Sequence, residues 1–108
     1  MDDKGEEKMG KAANSSISLK QIHVTDNFWN KYVHLVKDVI IPYQWDILND
    51  KLEDVETSHC IENFKIAAGE KEGEFQGAVF QDTDVAKWLE AVGFVLNYER
   101  DEKLEELA

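Results

Sequence analysis

Hydrophobic and polar positions change their period along this 108-residue chain, and the changes divide it into one strand and a series of helices. In Ile17–Thr25 the apolar residues alternate in two pairs that are out of step by one residue, which predicts a β-strand with a bulge. A lone strand leaves its edges unpaired, so it needs a partner sheet. The sequence offers no second convincing strand.

From Asp26 onward the apolar positions recur at helical spacing. Asp26 or Asn27 is expected to cap a first helix that stops at Pro42, because proline breaks the helix before it and fits the first turn of the next one. The stretch PYQWDILND is then a short second helix. The predicted buried stripe of the first helix is Phe28, Tyr32, Leu35, Val36 and Val39.

Three further helices are predicted beyond the acidic connector KLEDVET. The third, SHCIENFKIAAG, has a capping residue at Thr57 or Ser58, and Gly69 suits its C-terminal end. The fourth begins near Asp82 to Asp84, and the fifth is capped by Asp101. The predicted buried stripe of the fourth helix is Val85, Trp88, Leu89, Val92 and Leu96.

These elements predict a mainly α fold in three parts. Residues 1–15 are polar and are expected to form a disordered tail or leader, residues 16–25 form the strand, and residues 26–108 form helical hairpins. The fifth helix has only about two turns, and isolated helices of that length are unstable in water. We therefore expect the strand and the last helix to belong to a larger fold.

Composition and charge exclude several classes of function. The chain has 23 acidic and 12 basic residues, a net charge of −11 and no stretch rich in lysine or arginine, so nucleic acid and anionic membranes would be repelled. Its single cysteine, Cys60, allows neither an intrachain disulfide nor a multi-cysteine zinc site built from this chain alone. Neither a membrane span nor a signal peptide is visible, so a cytoplasmic location is expected.

The loop FQGAVFQDTD carries the densest candidate chemistry, since it combines glycines, phenylalanines and aspartates. Asp82 and Asp84 are expected at a helix N-terminus, where carboxylates either cap free N–H groups or contact a polar ligand such as a sugar hydroxyl. A calcium loop is excluded, because its glycine and its last acidic position fall on Lys87 and Gly93. A catalytic acid pair is disfavoured, since both aspartates would stay ionised there.

His59 and Cys60 are adjacent, which raises the question of a cysteine–histidine dyad. Successive helical residues point about 100° apart, so these side chains are not expected to face each other. Cys60 is predicted to be a buried small apolar residue. His59 is either a structural residue or a residue at the edge of a pocket. The three tryptophans are predicted to lie in the core, with a sugar-stacking surface as the alternative.

Several blocks together resemble the N-terminal portion of glycoside hydrolase family 127, the β-L-arabinofuranosidases, formerly a domain of unknown function. The blocks are SHCIENFKIAAGE and GEFQGAVFQDTDVAKWLEAVGFVL, with FW and IPYQW upstream. The most specific part runs from Phe75 to Glu90, and the segment from Ser58 to Lys65 supports it. The resemblance covers roughly residues 17–108. Ala86 stands where many members carry tyrosine, which is expected to change packing or pocket lining.

The resemblance implies a fold and a chemistry for the full-length protein. Family members have an (α/α)6 barrel flanked by β-sandwiches, and the N-terminal strand joins a sandwich. They remove terminal β-L-arabinofuranose with retention, using a cysteine nucleophile in a zinc site of three cysteines and a glutamate, and a further glutamate as acid/base. No position of this chain matches those downstream motifs, and Cys60 does not take the place of the nucleophile.

We therefore predict part of a retaining glycoside hydrolase, inactive alone, with no catalytic or metal-binding residue in this chain. The partner is the remainder of the enzyme, the substrate an arabinofuranoside, and zinc is implied for the full-length family only. By the resemblance, substrate-binding candidates are His59, Phe80, Gln81 and Asp82, because α/α barrels place their sites at helix ends. The alternatives are a stand-alone acidic helical module that binds a protein partner without catalysis, and a carbohydrate-binding fragment.

Overall fold

The computed structural model describes residues 15–108, and these residues form helices joined by loops. The helices are α1 (Asn27–Leu35), α2 (Ile41–Leu48), α3 (Cys60–Ala67), α4 (Asp82–Tyr98) and α5 (Glu102–Leu107), and a π-helical turn, Val36–Ile40, joins α1 to α2. The mainly α character predicted from the sequence is confirmed. The tail predicted for residues 1–15 lies outside the described residues, apart from Ser15. Over the described range, no helix is both long and apolar enough to cross a membrane.

The strand predicted for residues 16–25 is not confirmed. This segment instead holds a 3-10 turn, Leu19–Gln21, which takes up the slip in the alternation. The backbone on either side of the turn is extended, but the described part of the chain contains no neighbouring strand that could complete a hydrogen-bonded ladder. The segment is attached to α4 through Val24, whose N–H donates to the Tyr98 hydroxyl at 2.9 Å.

Pro42 does not end the first helix, contrary to the prediction. The backbone stays helical from α1 into α2 because the hydrogen-bonding pattern widens in Val36–Ile40, directly before the proline. An α-helical turn would bring the proline ring against a carbonyl group of the preceding turn and would miss one N–H donor. The wider π turn gives the proline ring room and does not need its missing N–H donor, so the helix continues.

The predicted buried stripe of α1 is exposed among the described residues. Phe28, Trp29 and Tyr32 pack on one another, with ring centroids 5.1 to 6.1 Å apart, and all three remain open to solvent. The π turn that follows α1 contacts the end of α4 through Lys37, whose Nζ donates to Glu99 Oε2 at 3.0 Å. This hydrogen bond, together with the neighbouring carboxylates, raises the pKa of Lys37.

The core lies where α2, α3, α4 and α5 meet. Trp88 stacks on Trp45 with a centroid separation of 4.6 Å, and its Nε1 donates to the carbonyl oxygen of Ile41 at 3.0 Å. The burial predicted for Trp88 and Val92 is confirmed, whereas Leu89 is exposed. Within the described residues, the buried hydrophobic side chains are Ile41, Leu48, Cys60, Trp88, Val92 and Leu104.

Three predicted helix ends are confirmed. Asp26 caps α1, because its Oδ1 accepts the N–H groups of Phe28 and Trp29 at 2.8 and 3.0 Å. Asp101 caps α5 by accepting the N–H of Leu104 at 3.1 Å. Gly69 ends α3 in the left-handed conformation, with a φ of 76°. It and the next residue donate back to the last turn at 3.1 and 2.9 Å.

Candidate functional site

Asp50 occupies a position at the end of α2 that glycine usually takes. Its φ is 56°, in the left-handed region. Its N–H donates to the carbonyl oxygen of Ile47 at 3.0 Å, and the N–H of Lys51 donates to that of Asp46 at 3.0 Å. This pair of bonds is the Schellman pattern, in which a side chain at the left-handed position is strained. Other contacts must hold Asp50 there.

Those contacts lie at the beginning of α3. Asp50 Oδ1 accepts the N–H of Ser58 at 2.6 Å, and both carboxylate oxygens accept the N–H of His59 at 3.1 Å. His59 is the residue before α3, has a φ of 57° and makes no capping bond with its side chain. The predicted capping of α3 by Thr57 or Ser58 is therefore wrong. The Asp50 carboxylate instead binds the two residues that precede α3, because the connector between α2 and α3 folds back on itself.

The imidazole of His59 lies against the same carboxylate. Its Nδ1 is 3.6 Å from Asp50 Oδ2, and both side chains are largely shielded from solvent. The contact determines which ring nitrogen faces Asp50 and leaves Nε2 on the opposite side of the ring. In the described part of the chain, Asp50 and His59 are the two non-glycine residues with positive φ. Strained residues of this kind often occur at functional sites.

Both side chains line a polar cavity of about 550 Å³ beside α3. Asn63 links this cavity to the loop before α4, because its Nδ2 donates to the Gln76 carbonyl at 2.8 Å and its Oδ1 accepts the Gln76 N–H at 3.0 Å. Glu62 and Lys71 form an ion pair at this cavity. Amide and carboxylate groups suit a ligand that forms many hydrogen bonds. The other lining residues are Asn49, Thr57, Ile66, Glu72, Gly73 and Glu74.

The loop before α4 is closed by Gln81 and linked to α3 by Cys60. Gln81 Oε1 accepts the N–H of Ala78 at 3.0 Å. Gly77 has a φ of 89°, and a Cβ there would lie only 2.2 Å from that oxygen, so the loop requires glycine. Cys60 is buried as predicted, and its Sγ donates to the Gln81 carbonyl oxygen at 2.8 Å. Burial raises the pKa of this thiol, as do the nearby aspartates.

The structure does not bring the four predicted substrate-binding residues into one cavity. His59 lines the polar cavity. Asp82 lines a separate one of about 180 Å³, whose walls include two phenylalanines. Phe80 is 69% exposed, and the side chain of Gln81 is bonded within its own loop. All four nevertheless lie near the Cys60–Gln81 link, which joins the beginnings of α3 and α4.

Asp82 and Asp84 do not cap α4. The residue at the capping position is Gln81, which has a helical backbone and makes no side-chain capping bond. The loop turns helically before α4 begins, so neither aspartate occupies the extended position that capping needs. Both lie in the first turn, where the helix dipole favours negative charge. The Oδ1 atom of Asp84 also lies 3.8 Å from the Nζ atom of Lys87.

Sequence reasoning missed the roles of Asp50 and Asn63. An Asn–Asp pair at the end of an apolar periodic stretch is a signal for a left-handed helix end, and that signal was available. The partners of both side chains, however, lie in loops that return from later in the chain. No local pattern indicates which N–H groups such loops present.

A second cavity, of about 470 Å³ and almost wholly apolar, lies between α1 and α4. Trp29 and Tyr32 form one side, Phe94 and Tyr98 the other, and Val24 reaches it from the N-terminal segment. Its apolar lining suits hydrophobic packing and offers little hydrogen bonding. The remaining lining residues are Val33, Val36, Lys37 and Val95.

Comparisons with known proteins agree on one family. The family model described as beta-L-arabinofuranosidase, GH127 catalytic domain, matches residues 21–108. A non-reducing end beta-L-arabinofuranosidase from Bifidobacterium longum subsp. longum is 37% identical over 98 residues, covering 80% of this chain and 15% of the relative. The chain therefore spans a small share of the length of that enzyme.

A solved structure gives the same result. The crystal structure of a GH127 beta-L-arabinofuranosidase from Geobacillus stearothermophilus matches with a TM-score of 0.75 and 58% identity, over 79% of this chain and 13% of that chain. The resemblance found in the sequence is thereby confirmed. Because the family model covers most of the chain and a solved relative shares both sequence and fold, this chain belongs to glycoside hydrolase family 127.

Proposed function

We propose that this chain forms the N-terminal part of a retaining β-L-arabinofuranosidase and supplies the first helices of its (α/α)6 barrel. Both relatives described above are named as β-L-arabinofuranosidases, and the chain spans only 13 to 15% of their lengths. The substrate is an arabinofuranoside with a terminal β-L-arabinofuranose. The partner of the chain is the remainder of the enzyme.

The exposed apolar surface is the observation that carries this proposal. Among the described residues, 17 large hydrophobic side chains are exposed, whereas six hydrophobic side chains are buried. Trp29 and Tyr32 of the aromatic cluster also line the apolar cavity, so this part of the exposed surface is continuous with it. Contiguous apolar patches of this kind mark interaction surfaces. Barrel helices from the remainder of the enzyme would cover this one.

Residues 16–25 are proposed to form a strand when the remainder supplies a sheet. The backbone flanking the 3-10 turn is already extended. Ile17 and Ile22 are exposed and would gain burial on pairing. A strand needs neighbours to satisfy its edges, and in the described chain this segment has none.

His59, Phe80, Gln81 and Asp82 are proposed to line part of the sugar pocket. His59 is supported best, because it lines the polar cavity and its orientation is set by Asp50. Zinc is proposed for the full-length enzyme, but the residues of this chain do not fit a zinc site. No group of three or more metal-ligating side chains occurs within 15–108, and Cys60 is bonded to a carbonyl group. We therefore assign no step through the metal to these residues.

A chimera tests the proposal. The matched segment of the Geobacillus enzyme is replaced by residues 21–108, and hydrolysis of p-nitrophenyl β-L-arabinofuranoside is measured. We expect turnover within about tenfold of the parent enzyme, since the replacement is 58% identical. The chain alone is expected to show none, and the parent lacking the segment serves as the second control.

Two outcomes would contradict the proposal. One is a chimera that melts like its parent but has no activity. The other is a 108-residue chain that is monomeric, unfolds cooperatively and shows no binding of a hydrophobic dye, which would favour the stand-alone module. Trp fluorescence in the presence of L-arabinose examines the carbohydrate-binding alternative, because tryptophans line both the core and the apolar cavity.

A further inference from the structure

We infer that Asp50 is a positioning residue for His59. It holds the imidazole as the Nδ1–H tautomer, with Nε2 as a hydrogen-bond acceptor for a sugar hydroxyl in the polar cavity. This inference rests on the proposed function, in which His59 contacts the sugar. It adds a residue outside the predicted substrate-binding set, together with the chemical form in which His59 acts.

The contacts of Asp50 with the backbone fix the position of the His59 main chain, from which the imidazole extends. The Asp50 carboxylate accepts the N–H groups of Ser58 and His59 at 2.6 and 3.1 Å, and His59 is held at a φ of 57°. A non-glycine residue leaves this region readily unless its surroundings hold it. Because the same carboxylate makes these contacts, the position of the His59 ring depends on Asp50.

The side-chain contact fixes which ring nitrogen carries the proton. Nδ1 lies 3.6 Å from Asp50 Oδ2. That distance is slightly longer than a hydrogen bond, so the contact acts through charge. A carboxylate only accepts, and the neutral ring therefore gains by placing its N–H on the side of Asp50. The lone pair of Nε2 is then available to a hydroxyl donor.

Two other polar side chains of the cavity wall are already engaged. The side-chain amide of Asn63 is engaged on both its atoms with the backbone of Gln76. Glu62 is paired with Lys71. These groups shape the cavity while their own hydrogen bonds are made. The imidazole is a neutral lining group whose orientation is set by the adjacent carboxylate of Asp50.

The first experiment reads the tautomer directly. Long-range ¹H–¹⁵N spectra of the 108-residue chain are recorded for its three imidazoles over a series of pH values. We expect His59 to show the Nδ1–H form in the unmodified chain and to lose that preference in the Asp50→Asn variant. Asp38→Asn is the matched control, because Asp38 lies 3.8 Å from Nδ1 of the exposed His34. An Nε2–H tautomer of His59 in the unmodified chain would overturn the inference.

The second experiment uses the chimera and a double-mutant cycle. Asp50→Asn is expected to raise KM about tenfold with a smaller change in kcat, and to add nothing in a His59→Ala background. If Asp50 only stabilised the fold, its substitution would lower activity equally in both backgrounds. Fully additive effects of the Asp50 and His59 substitutions on activity would therefore contradict the inference. The Asp38→Asn chimera should have the same KM and kcat as the unmodified chimera.

The two experiments separate this inference from the proposed function. An inactive but folded chimera refutes the proposed function, while the ring spectra still decide whether Asp50 sets the tautomer. An active chimera with an additive cycle refutes the positioning role and leaves the proposed function standing.

Discussion

Gly77 shows how one residue without a side chain permits a whole loop. Its left-handed φ brings the chain back on itself so closely that Gln81 Oε1 occupies the space of a Cβ. That oxygen in turn satisfies the N–H of Ala78. The glycine is therefore required for its backbone conformation, and a side chain there would also displace the flexible end of Gln81.

Gly77→Ala is expected to destabilise the chain by about 1–3 kcal/mol, because a left-handed alanine is strained and Gln81 must give up its bond to Ala78. Gly93→Ala is the matched control. It lies within α4 with nothing inside 4 Å of a new Cβ, so alanine should stabilise by about 0.5–1 kcal/mol. Urea denaturation of both variants measures the two changes in the free energy of unfolding. Equal effects of the two substitutions would contradict the argument.

The raised pKa of Cys60 predicts loss of stability at alkaline pH. Burial raises the pKa of the folded thiol above its unfolded value. The stabilising contribution is therefore complete below the ordinary thiol pKa of roughly 8.5 and is lost as pH rises through the folded value. Thermal melts between neutral and alkaline pH should show this loss, and Cys60→Ala should show a weaker dependence. Rapid labelling of the folded thiol by iodoacetamide would contradict the burial on which this prediction rests.

At the scale of elements, local chemistry predicted the parts of the fold that depend on a few neighbouring residues. Asp26, Asp101 and Gly69 act at helix ends as predicted, since each needs only the adjacent turn. The strand, the fate of Pro42 and the cap of α3 were predicted wrongly or are not confirmed. The strand depends on a sheet outside the described residues, and the beginning of α3 depends on the Asp50 carboxylate eight or nine residues earlier. The course of the helix at Pro42 depends on a widened turn that the spacing of apolar residues does not indicate.

The candidate site was likewise predictable only where it depends on residues that are close in sequence. His59 was selected as a residue at a pocket edge, and it does line a cavity. Asp50 was not selected, because its bonds to the beginning of α3 form only after the intervening connector folds back. The stripe of α1 was recognised as apolar, but the sequence pattern does not tell a face buried within this chain from one that is covered by another segment.

Trp88 joins α4 to the helix that carries Pro42, and its replacement tests that junction. Trp88→Phe keeps most of the ring but loses the Nε1 bond to the Ile41 carbonyl oxygen. We expect a loss of about 2–4 kcal/mol from the missing bond and the unfilled volume. Trp45→Phe, at the partly buried partner ring, should cost less. Chemical denaturation followed by circular dichroism measures both, and a larger loss for Trp45→Phe would contradict this account of the junction.

At the scale of the whole molecule, the exposed aromatic surface of α1 predicts opposite effects in two settings. Phe28 and Trp29 are 60% and 62% exposed. Replacing both by glutamine should reduce self-association of the isolated chain, measured by sedimentation, and leave its melting temperature within a few degrees. In the chimera the same pair should lower stability by about 3 kcal/mol or more, because the rings would be buried there. If the double substitution lowered the melting temperature equally in the isolated chain and in the chimera, no other segment would cover this surface.

The π turn also sets the direction in which each half of the long helix faces. A π turn holds one residue more than an α-helical turn needs, and one residue corresponds to a rotation of about 100°. Phe28 and Tyr32 precede the turn and face solvent, whereas Ile41 and Leu48 follow it and enter the core. If Val36–Ile40 were wound as a regular α-helix, the second half would be rotated relative to the first by roughly the angle of one residue. The winding of this short segment therefore decides whether one helix can serve two neighbours at once.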